Sequence, residues 1–89
     1  MSYSYPLDET WTKEEIIDVV NFFSLVERTY EDGILRDELL LAYERFKQIV
    51  PSKSEEKQLG AQFEKDFGYS SYRAVQKAKA ASPGEKIKM

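Results

Sequence analysis

The chain predicts an all-α fold: a compact array of four helices with an extended N-terminal arm and a disordered C-terminal tail. Three observations carry that expectation. Helix-start signals recur at Thr12, Ser52 and Ser70 or Ser71, each followed by residues suited to a first helical turn. Between them apolar residues return at helical spacing, and no segment alternates with a period of two. Glycine or proline then closes each run, at Gly33, Pro51, Gly68 and Ser82-Pro83-Gly84. With 89 residues the chain has room for one domain. Residues 1–81 read as that domain and 82–89 as a flexible tail, since Glu85 to Met89 offer little to bury.

The first helix opens on a capping box: Thr12 is set to accept from the Glu15 N–H while the Glu15 side chain reaches back to Thr12, with Trp11 and Ile16 as a hydrophobic staple. Ile16, Val19, Val20, Phe22, Phe23, Val26 and Tyr30 then span an arc about 160° wide, so this helix needs cover on two sides and is the centre of the core. The second helix, from about Arg36 to Val50, buries Leu35, Leu39, Ala42, Tyr43, Phe46, Ile49 and Val50. Ser52-Lys53-Ser54-Glu55 reads as a second capping box, and Glu55 and Glu56 complement the positive end of the third helix. That helix has a narrow apolar stripe, Leu59, Phe63 and Phe67, so it belongs on the outside. Gly68 ends it, with Tyr69 as the folding-back contact of a Schellman turn. The fourth helix should bury Tyr72, Ala74, Val75 and Ala78. One core is expected to hold Trp11, Ile16, Val20, Phe23, Leu39, Tyr43, Phe46 and Phe63.

Composition removes function classes. Histidine and cysteine are both absent, and with them the side chains behind most nucleophilic, proton-shuttling and zinc chemistry. A chain this short buries roughly 60–65% of the surface its unfolded form exposes, leaving no room for a large enclosed pocket. Met1-Ser2-Tyr3-Ser4-Tyr5-Pro6 has neither a basic stretch nor an apolar core, so no export signal is expected. No apolar run approaches the ~20 residues of a spanning helix. The expected setting is the cytoplasm, with no membrane partner and no cofactor. The net charge of −3 hides an asymmetry: residues 1–50 hold eleven acidic against five basic side chains, residues 51–89 five against eight. Such a division suits either complementarity between the two halves within one molecule or head-to-tail association.

Tyr5-Pro6-Leu7-Asp8, Trp11, Glu14-Glu15-Ile16-Ile17-Asp18-Val19-Val20 and Phe22-Phe23 form one block. Ile49-Val50-Pro51-Ser52-Lys53 with Glu55-Glu56-Lys57 forms a second, and Gly68-Tyr69-Ser70-Ser71-Tyr72-Arg73 a third. In this order they resemble the YktA-like family, small uncharacterised proteins of Bacillus and its relatives, over about residues 3–80. The resemblance implies a cytoplasmic bacterial protein with an all-helical array. It implies no activity and no site residues.

Candidate sites come from residues left over by the fold. Ser70, Ser71, Arg73, Gln76 and Lys77 cluster at the start of the fourth helix, where free N–H groups and the dipole favour an anion. With the Gly68 turn and the third helix they also resemble a helix-turn-helix, Arg and Gln being suited to base edges and Lys to phosphate. Plain capping explains the serines equally, and Glu64 stands where a helix-turn-helix usually has a small residue. Paired carboxylates at Glu14-Glu15, Glu31-Asp32, Asp37-Glu38 and Glu55-Glu56 point about 100° apart on a helix and cannot converge as an acid and a base. Glu27 falls within the apolar arc of the first helix: either the helix has left the core by that point, or Glu27 is partly buried and must pair with Arg, Lys or a tyrosine hydroxyl. Ile17 and Leu25 project away from that arc, as Leu40 and Leu41 do from the stripe of the second helix. These four are the candidate partner surface, part of it covered by an arm containing Tyr3, Tyr5, Pro6 and Leu7. The expected function is a small adaptor or regulator acting through a protein partner or self-association, without catalysis. The alternative is a nucleic-acid or phosphate-containing-ligand binder using the Ser70–Lys79 helix.

Overall fold

The computed structural model describes residues 5–89. Four helices appear in the expected order: α1 (Lys13–Glu31), α2 (Arg36–Ile49), α3 (Lys53–Phe67) and α4 (Ser71–Ala80). Two short strands, β1 (Ile34–Leu35) before α2 and β2 (Lys86–Ile87) near the C-terminus, pair antiparallel with Ile34 opposite Ile87 and Leu35 opposite Lys86. Two residues per strand leave the class all-α. No helix among the described residues is long and apolar enough to cross a membrane.

Local chemistry places the helix ends. At α1 the capping box is complete: the Glu15 N–H donates to Thr12 Oγ1 at 3.2 Å and the Thr12 N–H donates to Glu15 Oε1 at 2.8 Å. Ser52 caps α3 by accepting from the Glu55 N–H at 3.3 Å. This is half of the box expected there, because the bond from the Glu55 side chain back to Ser52 is not formed. Ser70 rather than Ser71 caps α4, accepting from the Arg73 N–H at 3.2 Å. Gly68 takes φ 80° and its N–H donates to the Glu64 carbonyl, a left-handed stop. Tyr69 stacks on Tyr30 of α1, ring centroids 4.6 Å apart, and donates to Glu31.

The core is organised around α1, whose Val19, Phe22, Phe23 and Val26 are fully buried. Phe22 stacks on Phe46 of α2 at 4.7 Å, and Phe23 stacks on Phe63 of α3 at 4.6 Å. Phe63 is the one fully buried residue of α3, in keeping with the narrow stripe. Ala74 and Ala78 let α4 approach closely. Of the eight residues expected to share the core, Phe23, Leu39, Phe46 and Phe63 are buried in it. Trp11 and Tyr43 pack against it partly exposed, and Ile16 and Val20 are half-buried at its edge. Tyr72 and Leu35, also expected to be buried, do not join it: they are 71% and 45% exposed, Leu35 because it alternates with the buried Ile34 on the two-residue strand β1.

Residues 82–89 are not a free tail. Ser82 to Glu85 form a turn, the Gly84 N–H donates to Asp37 Oδ2 at 2.9 Å, and the Arg36 N–H donates to the Glu85 carbonyl at 2.8 Å. Beyond β2, the Met89 N–H reaches the Thr29 carbonyl at 2.9 Å, and Ile87 is 2% exposed. Gly33 makes this possible: at φ 85° it turns the chain out of α1, and a Cβ there would lie 2.9 Å from the Ile87 carbonyl oxygen. The expectation of disorder fails because Ile87 has a long-range partner in Ile34, which a local reading of the last residues cannot reveal.

Phe46→Ala is expected to cost about 3–5 kcal/mol and Ile87→Ala about 2–5 kcal/mol, as for other buried large-to-small changes. Urea midpoints of both variants check this. An unshifted midpoint for Ile87→Ala would return the last residues to a loose tail.

Candidate functional site

A cleft of about 470 Å³ opens between α2, α3 and the start of α4. Its floor is apolar and aromatic: Phe22, Tyr43, Phe46 and Val75. The cleft exists because α3 touches the core along one edge only. Its next face carries Gly60 and Ala61, which have no bulk to fill the space. Gly60 also lets α4 come near, since a Cβ there would stand 3.1 Å from Ser71 Oγ. Tyr72 stands at the rim, exposed.

The back wall is fixed by one carboxylate. Glu56 accepts from the Tyr43 hydroxyl at 2.9 Å through one oxygen and from Lys47 Nζ at 2.9 Å through the other. Burial, then the hydrogen bond to Glu56 and its charge, push the Tyr43 phenol up to about 12. The Lys79 ammonium lies 5.4 Å from the centre of the Tyr43 ring, within cation–π range. Lys53 and Lys57 add two more cations to the rim, where Glu64 is an exposed carboxylate. None of these three ammoniums has an ion-pair partner among the described residues.

The anion candidates divide at this cleft. Ser70, Ser71 and Gln76 line it, whereas Arg73 and Lys77 lie on the exposed face outside. The Ser70 hydroxyl is occupied as the α4 cap. Its backbone is held by Tyr30, whose hydroxyl donates to the Ser70 carbonyl at 2.8 Å and accepts from the Ser70 N–H at 3.1 Å. Lys77 Nζ donates to the Lys88 carbonyl at 2.7 Å, a tie to the C-terminal segment.

The apolar candidates divide too. Ile17 and Leu41 are 57% and 64% exposed. Leu25 and Leu40 are half-buried and pack against the core, so they are not open surface. Of the arm, Tyr3 falls outside the described residues. Tyr5 packs against Phe23, Phe63 and Phe67 and donates to Glu27, supplying the tyrosine partner that the placement of Glu27 required. Leu7 remains 45% exposed. Among the described residues no group of three or more acidic side chains gathers to hold a metal ion.

Sequence reasoning missed Tyr43, Lys53, Lys57 and Lys79 as parts of one site. The small pair Gly60-Ala61 on an otherwise bulky helix was the one local sign of a gap.

The chain belongs to the uncharacterised protein family UPF0223, whose model matches residues 2–87. The UPF0223 protein of Oceanobacillus iheyensis is 66% identical over 79 residues, covering 89% of this chain and 90% of that protein. A UPF0223 protein of Staphylococcus aureus strain bovine RF122 is 50% identical over 88 residues, covering 99% and 97%. The resemblance carried by the three sequence blocks is thus a family relationship, spanning other members of the Bacillales. The family carries no assigned activity.

Two tyrosines give this architecture an alkaline limit. Tyr5 is pushed up to about 12 by burial first and by Glu27 second, and Tyr43 also reaches about 12. The folded state therefore holds these phenolic protons more tightly than the unfolded chain, whose tyrosines titrate near ~10. Their contribution is intact below ~10 and is lost as pH rises towards about 12. Tyr5→Phe/Tyr43→Phe should lose less stability than the native chain across that window, measured by urea unfolding at each pH. Equal alkaline slopes would exclude both tyrosines as the cause.

Proposed function

We propose that this protein is a non-catalytic contact module of the bacterial cytoplasm and that it works by receiving a protein surface in the α2–α3–α4 cleft. The observation that carries the reading is an open aromatic floor of about 470 Å³ rimmed by the exposed Tyr72 and three unpaired ammoniums. Exposed tyrosines over desolvatable pockets are the groups on which binding energy concentrates. Unpaired lysines around an apolar floor select a partner of opposite sign. Binding without catalysis is supported by the lack of histidine and cysteine and by the use of several carboxylates in caps and ties. Glu15 serves the α1 cap, Glu56 holds Tyr43 and Lys47, and Glu27 accepts from Tyr5. The phosphate-binding alternative has less support, since Ser70 Oγ serves as a helix cap and Arg73 and Lys77 lie outside the cleft, which leaves Ser71 as the candidate hydroxyl in the lining.

Replacing Tyr72 with p-benzoyl-phenylalanine in the bacterium and irradiating is expected to give a covalent protein adduct. The same residue at Asp32, exposed at the end of α1 and away from the cleft lining, should give none. The absence of a protein adduct from position 72 would overturn the reading.

A further inference from the structure

We propose that the occupant of the cleft is a second copy of this chain, which inserts the acidic face of its α2 around Leu41, so that copies associate head to tail. The proposal rests on the cleft being a contact surface and adds the identity of the partner.

The first observation is a charge division that folding does not neutralise. Residues 1–50 carry an excess of six negative charges and residues 51–89 an excess of three positive ones. Complementarity within one molecule would join carboxylates of the first part to ammoniums of the second. Among the described residues no ion pair does so. Arg36–Asp37 and Arg45–Asp18 lie within the first part, and Lys47–Glu56 joins the parts in the opposite sense. No contact ion pair within the molecule uses up the opposite charges of the two parts.

The second observation is that the two surfaces match in chemistry. The cleft is an aromatic floor with Lys53, Lys57 and Lys79 at its rim; of its two carboxylates, Glu56 is taken up by Tyr43 and Lys47, and the exposed Glu64 leaves the rim net positive. On α2, Leu41 is 64% exposed and is flanked by Glu38 and Glu44, both exposed, three residues to either side, while Arg45 on the same face is paired with Asp18. Residues three apart on a helix share a face, so Leu41 is an apolar knob between two carboxylates. Neither Glu38 nor Glu44 is in an ion pair among the described residues. A knob of this kind placed in the cleft would bury apolar surface and set carboxylates against unpaired ammoniums.

The third observation is geometric and fixes the form of the assembly. Leu41 and Tyr43, the knob and part of the cleft floor, are two residues apart on one helix and point about 200° from each other. They lie on opposite sides of α2, so one contact cannot use both elements of the same two molecules symmetrically. The interface is heterologous: an open array of any length keeps one free knob at one end and one free cleft at the other, so it goes on growing unless the rotation closes a ring.

Two surface variants of the full chain test this. Leu41→Asp removes the knob and keeps the cleft; Lys53→Glu/Lys57→Glu reverses the cleft rim and keeps the knob. Both sets of positions are exposed, and an unchanged thermal midpoint shows that each variant is folded. Leu41→Arg serves as the second knob variant. In sedimentation velocity over a wide concentration range, the native chain is expected to grow beyond a dimer, and more so at low salt, because screening weakens the contact. Each variant alone should be monomeric, its association weakened by about tenfold or more, as for the loss of a central contact. An equimolar mixture of the two should form a one-to-one dimer that grows no further, since it restores one good contact and no second. A native chain that is monomeric throughout, a native dimer that does not grow, or a mixture that stays monomeric would each overturn the proposal. The photo-adduct at position 72 separates this failure from that of the contact-module reading. An adduct with a different protein leaves the module and removes the second copy, whereas no protein adduct removes both.

Discussion

Phe22 and Phe23 are consecutive, and both are essentially without solvent exposure. Neighbouring side chains on a helix point about 100° apart, so α1 satisfies both rings only if it is covered on two flanks at once. The rest of the architecture follows from that demand. On the Phe22 flank α2 supplies Phe46 and Tyr43. On the Phe23 flank α3 supplies Phe63, and the N-terminal arm supplies Tyr5, which lies against Phe23, Phe63 and Phe67. Phe46 also meets Phe23 edge-on at 5.7 Å and so links the two flanks. Aromatic pairs of this kind contribute about 0.5–1.5 kcal/mol each beyond the area they bury, a large effect in a domain whose total stability is small.

The same demand creates the cleft. Holding α3 to Phe23 uses one stripe of that helix, and its neighbouring face meets α2 through Glu56 rather than through a second apolar stripe. With Gly60 and Ala61 on that face, nothing fills the space above Phe22, Tyr43 and Phe46. The open surface is a by-product of covering α1 from two sides with helices of unequal apolar width. Its shape depends on the fully packed core beneath it, which makes the floor rigid. The walls are held by paired polar ties, Glu56 with Tyr43 and Lys47 on one side and Tyr30 with both backbone groups of Ser70 on the other.

Signals that act within one turn of helix were legible in the sequence. The Thr12 box, the Ser52 and Ser70 caps, the glycine turns at Gly33 and Gly68, and the narrow stripe of α3 all stand where local rules put them. What escaped was set by distance along the chain. Lys86-Ile87 is too short to show a period, and its strand exists because Ile34, far away in sequence, leaves an edge to pair. Leu25 and Leu40, which projection put outside the apolar arcs, are half-buried and pack against the core. Tyr72 shares a stripe with Val75 and therefore looked buried, but the stripe meets the cleft at that point instead of a neighbouring helix. Glu27 was read correctly because a carboxylate within an apolar arc needs a partner wherever that partner comes from.

The distribution of charge is harder to explain by stability than by recognition. The ion pairs Arg36–Asp37 and Arg45–Asp18 each have at least one side chain more than half exposed, and such pairs contribute about 0–1 kcal/mol. The best-covered pair, Lys47–Glu56, braces the wall of the cleft. A surface tuned for stability alone would interleave its signs, so that every ammonium had a carboxylate within reach. Here the cations at the cleft stand apart from the acidic first part of the chain, and the monomer gathers little Coulomb energy from them. Separated charge raises encounter rates and fixes orientation between molecules. An aromatic floor beneath it supplies what long-range charge cannot, a short-range apolar contact that holds the encounter once made.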